Sequence, residues 1–246
     1  MAPAGKARVS LAVPCFNERY RLDLRAFSEG AEAHDLQILF VDDGSADGTA
    51  DFIAGEIAGD ARLGLLRLPE NRGKGAAVRA GMLHLAKKCP DVDWIGFWDA
   101  DLSTPLDEVR RMLHFHHLEG GSYQAIWGSR VMRAGSRIER RFVRHLFGRL
   151  FATAAGEFLG VGAYDTQCGA KLFGREVVSD LFAEEFISRW IFDVELYCRM
   201  GHDRILEFPL KVWTHAPGSK VSVPGHSLGV AADLMKIRSK YGKRVP

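Results

Sequence analysis

The sequence predicts an α/β fold with a mainly parallel central sheet flanked by helices, and two observations predict it. Short apolar runs alternate with segments of helical period through the first half of the chain, which is the pattern of βαβ units. Four successive runs also end in polar clusters, "PCFNER", "DDGSADGT", "PENRGKGAA" and "DADLST". Open parallel sheets bind their ligands outside those carboxyl ends.

"RVSLAV" (Arg8 to Val13) reads as the first strand, with a helix from Glu18 to about His34. "LQILFV" follows as a strand with a helix of about 47–58, then "RLGLLRL" with a helix of about 74–88. "DWIGFW" is a fourth strand with a helix of about 105–118, and "YQAIWG" is a fifth. Beyond Gly128 the pattern changes. A basic, aromatic helical stretch covers about Arg137 to Leu159, and "DTQCGAKLFG" reads as a strand or hairpin. A helix of about Trp190 to Met200, a strand "RILEFPLKVW", a loop rich in Gly, Pro and Ser, and a helix of about Gly229 to Tyr241 complete the chain. We read one domain over residues 1–246, with an internal division near residue 130 between a nucleotide-binding-like half and a half that completes the site.

Composition narrows the function. The 246 residues are 47% apolar and 26% charged, ordinary for a globular protein. A net charge of +2 gives no general attraction to nucleic acid. The four cysteines, Cys15, Cys89, Cys168 and Cys198, form no C-x-x-C pair, so neither a zinc site nor a disulfide framework is expected, and a reducing cytoplasm is. The N-terminal apolar run is too short for a signal peptide, and no segment reaches the roughly 18 apolar residues of a membrane span. The expectation is a soluble protein, or one resting on a membrane surface.

The fourth strand ends in Asp99-Ala100-Asp101. If the extension continues, both carboxylates point the same way, and a hard divalent cation would relieve their repulsion. With the other strand ends, Asn17, Glu18, Asp42, Asp43, Asn71 and Lys74 should converge on the same edge. "DDGSADGT" is also a good turn and helix start, with Asp47 or Thr49 as N-cap, but that leaves Asp42 and Asp43 unexplained. "NRGKGAA" fits neither the phosphate-loop nor the dinucleotide fingerprint. It leaves Lys74 at a helix start, suited to phosphate or ribose. Arg130, Arg133, Arg137, Arg140, Arg141, Arg144 and Arg149 concentrate positive charge in the second half. They read as a solvated face, as a contact with anionic lipid, or as a grip on phosphates. His114, His116 and His117 near a helix end read as surface residues favoured by the helix dipole rather than as a metal cluster.

"VPCFNE", "VDDGSADGT", "NRGKGAAVRAGM", "DADLSTP", "GSR", "DTQCGAKLF", "WIFDVEL" and "GSK" stand in this order between Val9 and Lys220. In this the chain resembles family-2 glycosyltransferases of the GT-A fold, most of all the dolichyl-phosphate β-glucosyltransferases and their polyprenyl-phosphate relatives. The resemblance implies that Pro14, Asn17 and Glu18 line the nucleotide pocket, that Asp42 or Asp43 reads the base, and that Lys74 lies near ribose or phosphates. It implies that Asp99 and Asp101 bind Mg²⁺ or Mn²⁺ on the donor diphosphate and that Arg130 meets phosphate oxygens. Asp165, Gln167 and Lys171, Asp193 and Glu195, and Lys220 would close the acceptor side, with Arg137 and Arg141 beside them. Ser103 stands where mannose synthases often carry Gln, which makes the glucosyl type the nearer model. Relatives carry membrane anchors or spans that are not evident here.

The implied reaction is inverting transfer of a hexose, glucose from UDP-glucose ahead of a GDP-sugar, to a polyprenyl or dolichyl phosphate at a membrane surface. An ionised phosphate nucleophile makes strong base catalysis dispensable, whereas a hydroxyl acceptor would need Asp193 or Asp165 as base. The alternatives are a small soluble acceptor, or a nucleotide-sugar-binding protein without turnover.

Overall fold

The computed structural model describes residues 7–139, 158–215 and 227–242. Its main sheet is built from β1 (Val9–Cys15), β2 (Leu36–Asp42), β3 (Leu63–Arg67), β4 (Trp94–Trp98), β5 (Ala125–Ser129), β7 (Ala170–Gly174) and β8 (Ile205–Pro209). Their order is β3-β2-β1-β4-β7-β5-β8, and a second small sheet pairs β6 (Arg137–Ile138) with β9 (Val212–Trp213). The pairings are parallel except at β7, which runs antiparallel to both β4 and β5. One sheet thus takes strands from both sides of residue 130.

The helices are α1 (Leu24–His34), α2 (Thr49–Glu56), α3 (Lys74–Lys88), α4 (Asp107–Leu118), α5 (Arg175–Leu181), α6 (Phe192–Met200) and α7 (Ser227–Tyr241). β1 is buried almost throughout because both faces of the sheet are covered. Leu11 and Val13 join one core with Phe27, Phe40 and Val109, while Ala12 joins the other with Val78, Met82 and Phe192. Each fully buried Leu, Val or Phe stabilises the fold by about 1.5–3 kcal/mol relative to an exposed one. A third cluster, Leu159, Ile191, Val194, Cys198 and Ile237, seats α7 on α6. Among the described residues no helix is long and apolar enough to cross a membrane, and the four cysteines are free thiols.

Several expectations need correction. The first helix begins at Leu24, not Glu18, because Asp23 is its N-cap and accepts from Ala26 N at 2.9 Å, while the Glu18 N–H donates to Thr49 Oγ1 at 2.8 Å. α2 has Gly48 at its N-cap, with φ 82°. Asp47 accepts from the Thr49 backbone and hydroxyl instead, at 3.0 and 2.5 Å. Arg137 does not open a helix: its N–H donates to Lys211 O at 2.7 Å, and Glu139 N to Trp213 O at 2.9 Å. The rest of that basic stretch, residues 140–157, lies outside the described residues. The strand expected from Arg204 to Trp213 divides at Pro209. Leu210 N then bonds Ser129 O at 2.9 Å, and Val212 N bonds the buried Glu108 carboxylate at 3.1 Å, steering the chain into the small sheet. α5 has no counterpart in the sequence reading, and of "DTQCGAKLFG" only Ala170–Gly174 is strand.

Candidate active site

β1 and β2 end level with each other, Cys15 opposite Asp42, and the loops beyond them hold one another. Pro14 sits half-buried opposite Val41. Asn17, in left-handed backbone at φ 52°, donates its N–H to Ser45 Oγ and accepts from Ala46 N, both at 2.9 Å. The Glu18 carboxylate takes Arg21 Nε at 2.9 Å. Asp42 Oδ2 accepts from Ser45 N at 3.1 Å, while its Oδ1 is buried with no hydrogen-bond partner among the described residues. Such an acceptor is costly unless something donates to it.

Asp43 accepts the N–H groups of Arg72 and Gly73 at 2.9 and 2.8 Å, and so pins the loop that leads into Lys74. Burial raises the pKa of Asp43, against the pull of those two N–H groups. From above, Arg189 donates to Arg72 O at 3.0 Å and to Asn71 O and Oδ1 at 3.2 and 2.8 Å. Only glycine suits position 73, whose φ is 94° and where a Cβ would lie 2.7 Å from Arg189 Nε.

Beyond β4 the chain turns rather than continuing extended. Leu102 N bonds Asp99 O at 3.3 Å, and Leu102 itself has φ 49°. The turn, not strand alternation, sets Asp99 and Asp101 close to each other beyond β4. Lys74 Nζ lies 2.5 Å from Asp99 Oδ1, and Asp101 Oδ1 accepts from Ser103 N at 3.0 Å. Burial works against charge on Asp99, but Lys74, then Arg130 and Lys171, outweigh it and hold its pKa below the usual carboxylate value. The same balance favours charge on Lys74, where burial is outweighed by Asp99, Asp193 and Asp101. The other side of Asp99 is walled by backbone. A Cβ on Gly169 would fall 1.9 Å from Asp99 Oδ2, and Gly169 O accepts from Asp99 N at 3.1 Å.

The second half contributes ion pairs. Arg130, just past β5, grips Asp165 through Nε and a terminal nitrogen, both at 2.7 Å, and its backbone N adds a third bond at 3.1 Å. This bidentate geometry fixes the guanidinium plane, which also lies 5.4 Å from the Trp213 ring centroid. Burial opposes charge on Arg130, and Asp165 outweighs it, raising the pKa. Lys171 is fully buried. It donates to Thr166 O at 2.9 Å, Cys168 O at 2.6 Å and Asp193 Oδ1 at 2.6 Å, with the Trp127 ring centroid 4.8 Å away. All three ammonium protons are thereby used. Burial raises the Asp193 pKa despite Lys171, and it pushes the Cys168 thiol up to about 11, leaving it an unreactive neighbour. Glu195 is also fully buried, bonded to Ile187 N, Arg199 and Tyr241.

The structure therefore gathers Lys74, Asp99, Asp101, Arg130, Lys171 and Asp193 around one end of β4. Gln167 is exposed in the adjoining turn, and Arg137 is exposed and paired to Glu139 at 2.8 Å. Arg141 and Lys220 lie outside the described residues. His116, expected at the surface, is half-buried with Nε2 2.8 Å from Tyr123 O. Sequence reasoning missed Arg189 and Gly169. A glycine next to a strand is a known signal of close backbone approach, but nothing local marks Arg189. Among the described residues no three His, Cys, Asp or Glu side chains could hold a metal. The pair Asp99 and Asp101 still fits Mg²⁺ or Mn²⁺, because such ions are commonly held by one or two carboxylates plus substrate phosphates, and Asp99 is kept ionised.

An α/β sheet with acidic turns beyond β2 and β4 and a lysine opening α3 fits the GT-A fold that the sequence resemblance implies. Solved structures agree. Glucosyl-3-phosphoglycerate synthase from Mycobacterium tuberculosis, in complex with Mn²⁺, UDP-glucose and phosphoglyceric acid, superposes with a TM-score of 0.66 at 20% identity, over 99% of this chain and 82% of that one. The model of the family described as "Glycosyl transferase family 2" matches residues 10–182. The dolichyl-phosphate β-glucosyltransferase of Dictyostelium discoideum is 32% identical over 97% of this chain and 76% of its own length. That of Homo sapiens is 32% identical over 95% and 76%, and that of Saccharomyces cerevisiae 29% over 95% and 75%. The chain belongs to glycosyl transferase family 2.

Proposed function

We propose that this chain transfers glucose from UDP-glucose to a dolichyl or other polyprenyl phosphate, inverting the anomeric carbon in one displacement. The relatives' names support the substrates. The observation that carries the reading is Asp99, an ionised carboxylate set among Lys74, Arg130 and Lys171 at the end of β4. Mg²⁺ or Mn²⁺, held by Asp99 and Asp101 with the donor diphosphate, would neutralise the charge that builds on the leaving group. Asn17 and Glu18 shape the pocket wall, the orphaned Oδ1 of Asp42 accepts from the base, and Asp43 holds the loop that delivers Lys74 to the phosphates.

Arg130 lowers the repulsion between acceptor phosphate and donor. Asp165 orients that guanidinium, and Asp193 balances Lys171, so each carboxylate holds a cation in place. A phosphate that is already ionised asks neither for proton abstraction. Lys171 has no proton left for an acceptor, so we assign it to holding the turn 165–169, with Gln167 facing the acceptor. Arg137, Arg141 and Lys220 would meet anionic headgroups on the cytoplasmic face of a membrane, with the protein peripheral to it.

The test is transfer by purified protein to a polyprenyl phosphate with Mg²⁺ or Mn²⁺, with UDP-glucose and GDP-mannose run separately and Asp99→Asn as control. Labelled lipid from UDP-glucose alone, lost in the variant, is the expected result. Donor consumption without lipid product would overturn the acceptor and favour a small soluble one. Donor binding without product from any acceptor would leave a binding protein.

A further inference from the structure

Lys74 and a divalent cation want the same oxygen. Lys74 Nζ is 2.5 Å from Asp99 Oδ1, whereas Mg²⁺ and Ca²⁺ sit about 2.0–2.6 Å from carboxylate oxygens. Gly169 packs against the whole carboxylate, a Cβ there falling 1.9 Å from Oδ2 and 2.3 Å from Oδ1, which narrows the room for a second cation beside Lys74. Asp101 keeps one oxygen on Ser103 N. An ammonium and a divalent cation at adjoining lone pairs repel strongly in a half-buried site. Lys74 is the first residue of α3, so its side chain pivots at a helix N-terminus, where backbone N–H groups favour phosphate.

We propose that Lys74 is a placeholder cation: it occupies the metal position on Asp99 until a nucleoside diphosphate arrives, then moves to the diphosphate and yields the carboxylate to Mg²⁺ or Mn²⁺. This deepens the reading of Asp99 and Asp101 as the metal pair and rests on it. Metal and nucleotide then bind with positive coupling, each weak without the other. The placeholder offsets the Asp99 charge in the empty enzyme, and it supplies the diphosphate with a positive partner when it leaves.

The test is Mn²⁺ binding, followed by the electron paramagnetic resonance of free Mn²⁺, with and without UDP, on the wild type, Lys74→Met, Lys74→Arg and Asp99→Asn. Thermal melting of each variant checks that it is folded. Without UDP, Lys74→Met should bind Mn²⁺ about 5-fold or more tightly than the wild type, the lower end of ordinary coupling between sites. Lys74→Arg, which keeps a cation, should stay weak. UDP should tighten Mn²⁺ binding in the wild type and do so much less in Lys74→Met. If Lys74→Met binds Mn²⁺ no better than the wild type without UDP while Asp99→Asn loses it, the metal pair stands and the placeholder is wrong. If Asp99→Asn binds Mn²⁺ as the wild type does with UDP present, the metal pair itself fails and the placeholder with it.

Discussion

The carboxylates in the turns beyond β2 and β4 and the buried acids of the second half are held by different means. In the turns beyond β2 and β4 the donors to these carboxylates are backbone N–H groups: Ser45 for Asp42, Arg72 and Gly73 for Asp43, Thr49 for Asp47, Ser103 for Asp101. In the second half they are side-chain cations: Arg130 for Asp165, Lys171 for Asp193, Arg199 for Glu195. Backbone donors are dipoles that cannot swing away and leave the carboxylate's charge uncancelled, available to a ligand. Cations cancel that charge and fix orientation, which suits scaffolding. Asp99 stands where the halves meet. Its N–H is tied to Gly169 of the second half and its carboxylate to Lys74 of the first.

The comparison can be broken first at Asp99. Asp99→Asn keeps the shape and removes the charge, and initial rates with UDP-glucose should fall by about 10²-fold or more, the cost of losing one preorganised electrostatic group. A fall of only a few-fold would deny Asp99 its position at the reacting diphosphate. Next is Lys171→Met, which leaves Asp193 buried without its cation. Urea unfolding should show a loss of about 3–5 kcal/mol, with part recovered in Lys171→Met/Asp193→Asn. An unchanged midpoint would mean that the second-half pairs are not scaffold. Arg189→Ala sharpens the contrast, since it removes a second-half cation that reaches across to the first-half loop leading into Lys74. The loop's hold on Lys74 should weaken by about 1 kcal/mol, visible as a donor KM raised about fivefold with kcat nearly kept. An effect confined to kcat would place Arg189 at the reacting atoms instead.

The smallest effect is a pH dependence. Hydrogen bonds from Arg62 above all, then from Ser28, lower the Asp60 pKa from 3.8 to about 2. A carboxyl with a lower pKa folded than unfolded binds fewer protons when folded. Its contribution is complete well above pH 3.8 and drains away as pH falls toward 2. Against Asp60→Asn, the wild type should lose its small stability advantage across that window in thermal melts. An advantage that grows with acid would reverse the sign.

The same contrast explains what the sequence could show. Backbone-held carboxylates announce themselves, because "DDGS" and "DADLST" carry turn residues beside the acids they serve. β1 to β5 and the α3 range, Lys74–Lys88, followed from apolar period alone. The pairs of the second half join positions far apart, Arg130 with Asp165 and Lys171 with Asp193, and no spacing rule reaches that distance. Glu195 and Arg199 are the exception, four apart on one helix. The strand at Arg137 was hidden for the same reason, since its partner is Val212. Asp99 and Asp101 were picked out on an alternation that the turn at Leu102 replaces.

The antiparallel β7 also bears on how the protein is made. Trp94 pairs with Gly174 and Trp98 with Ala170, so the edge of β4 has no partner until the ribosome has passed residue 174. Pairings so distant in sequence fold slowly, and an open apolar edge invites association with other chains meanwhile. Arg130 and Asp99 cannot take their places before β7 is inserted. Biosynthesis thus exposes an apolar edge of β4 that the finished fold covers.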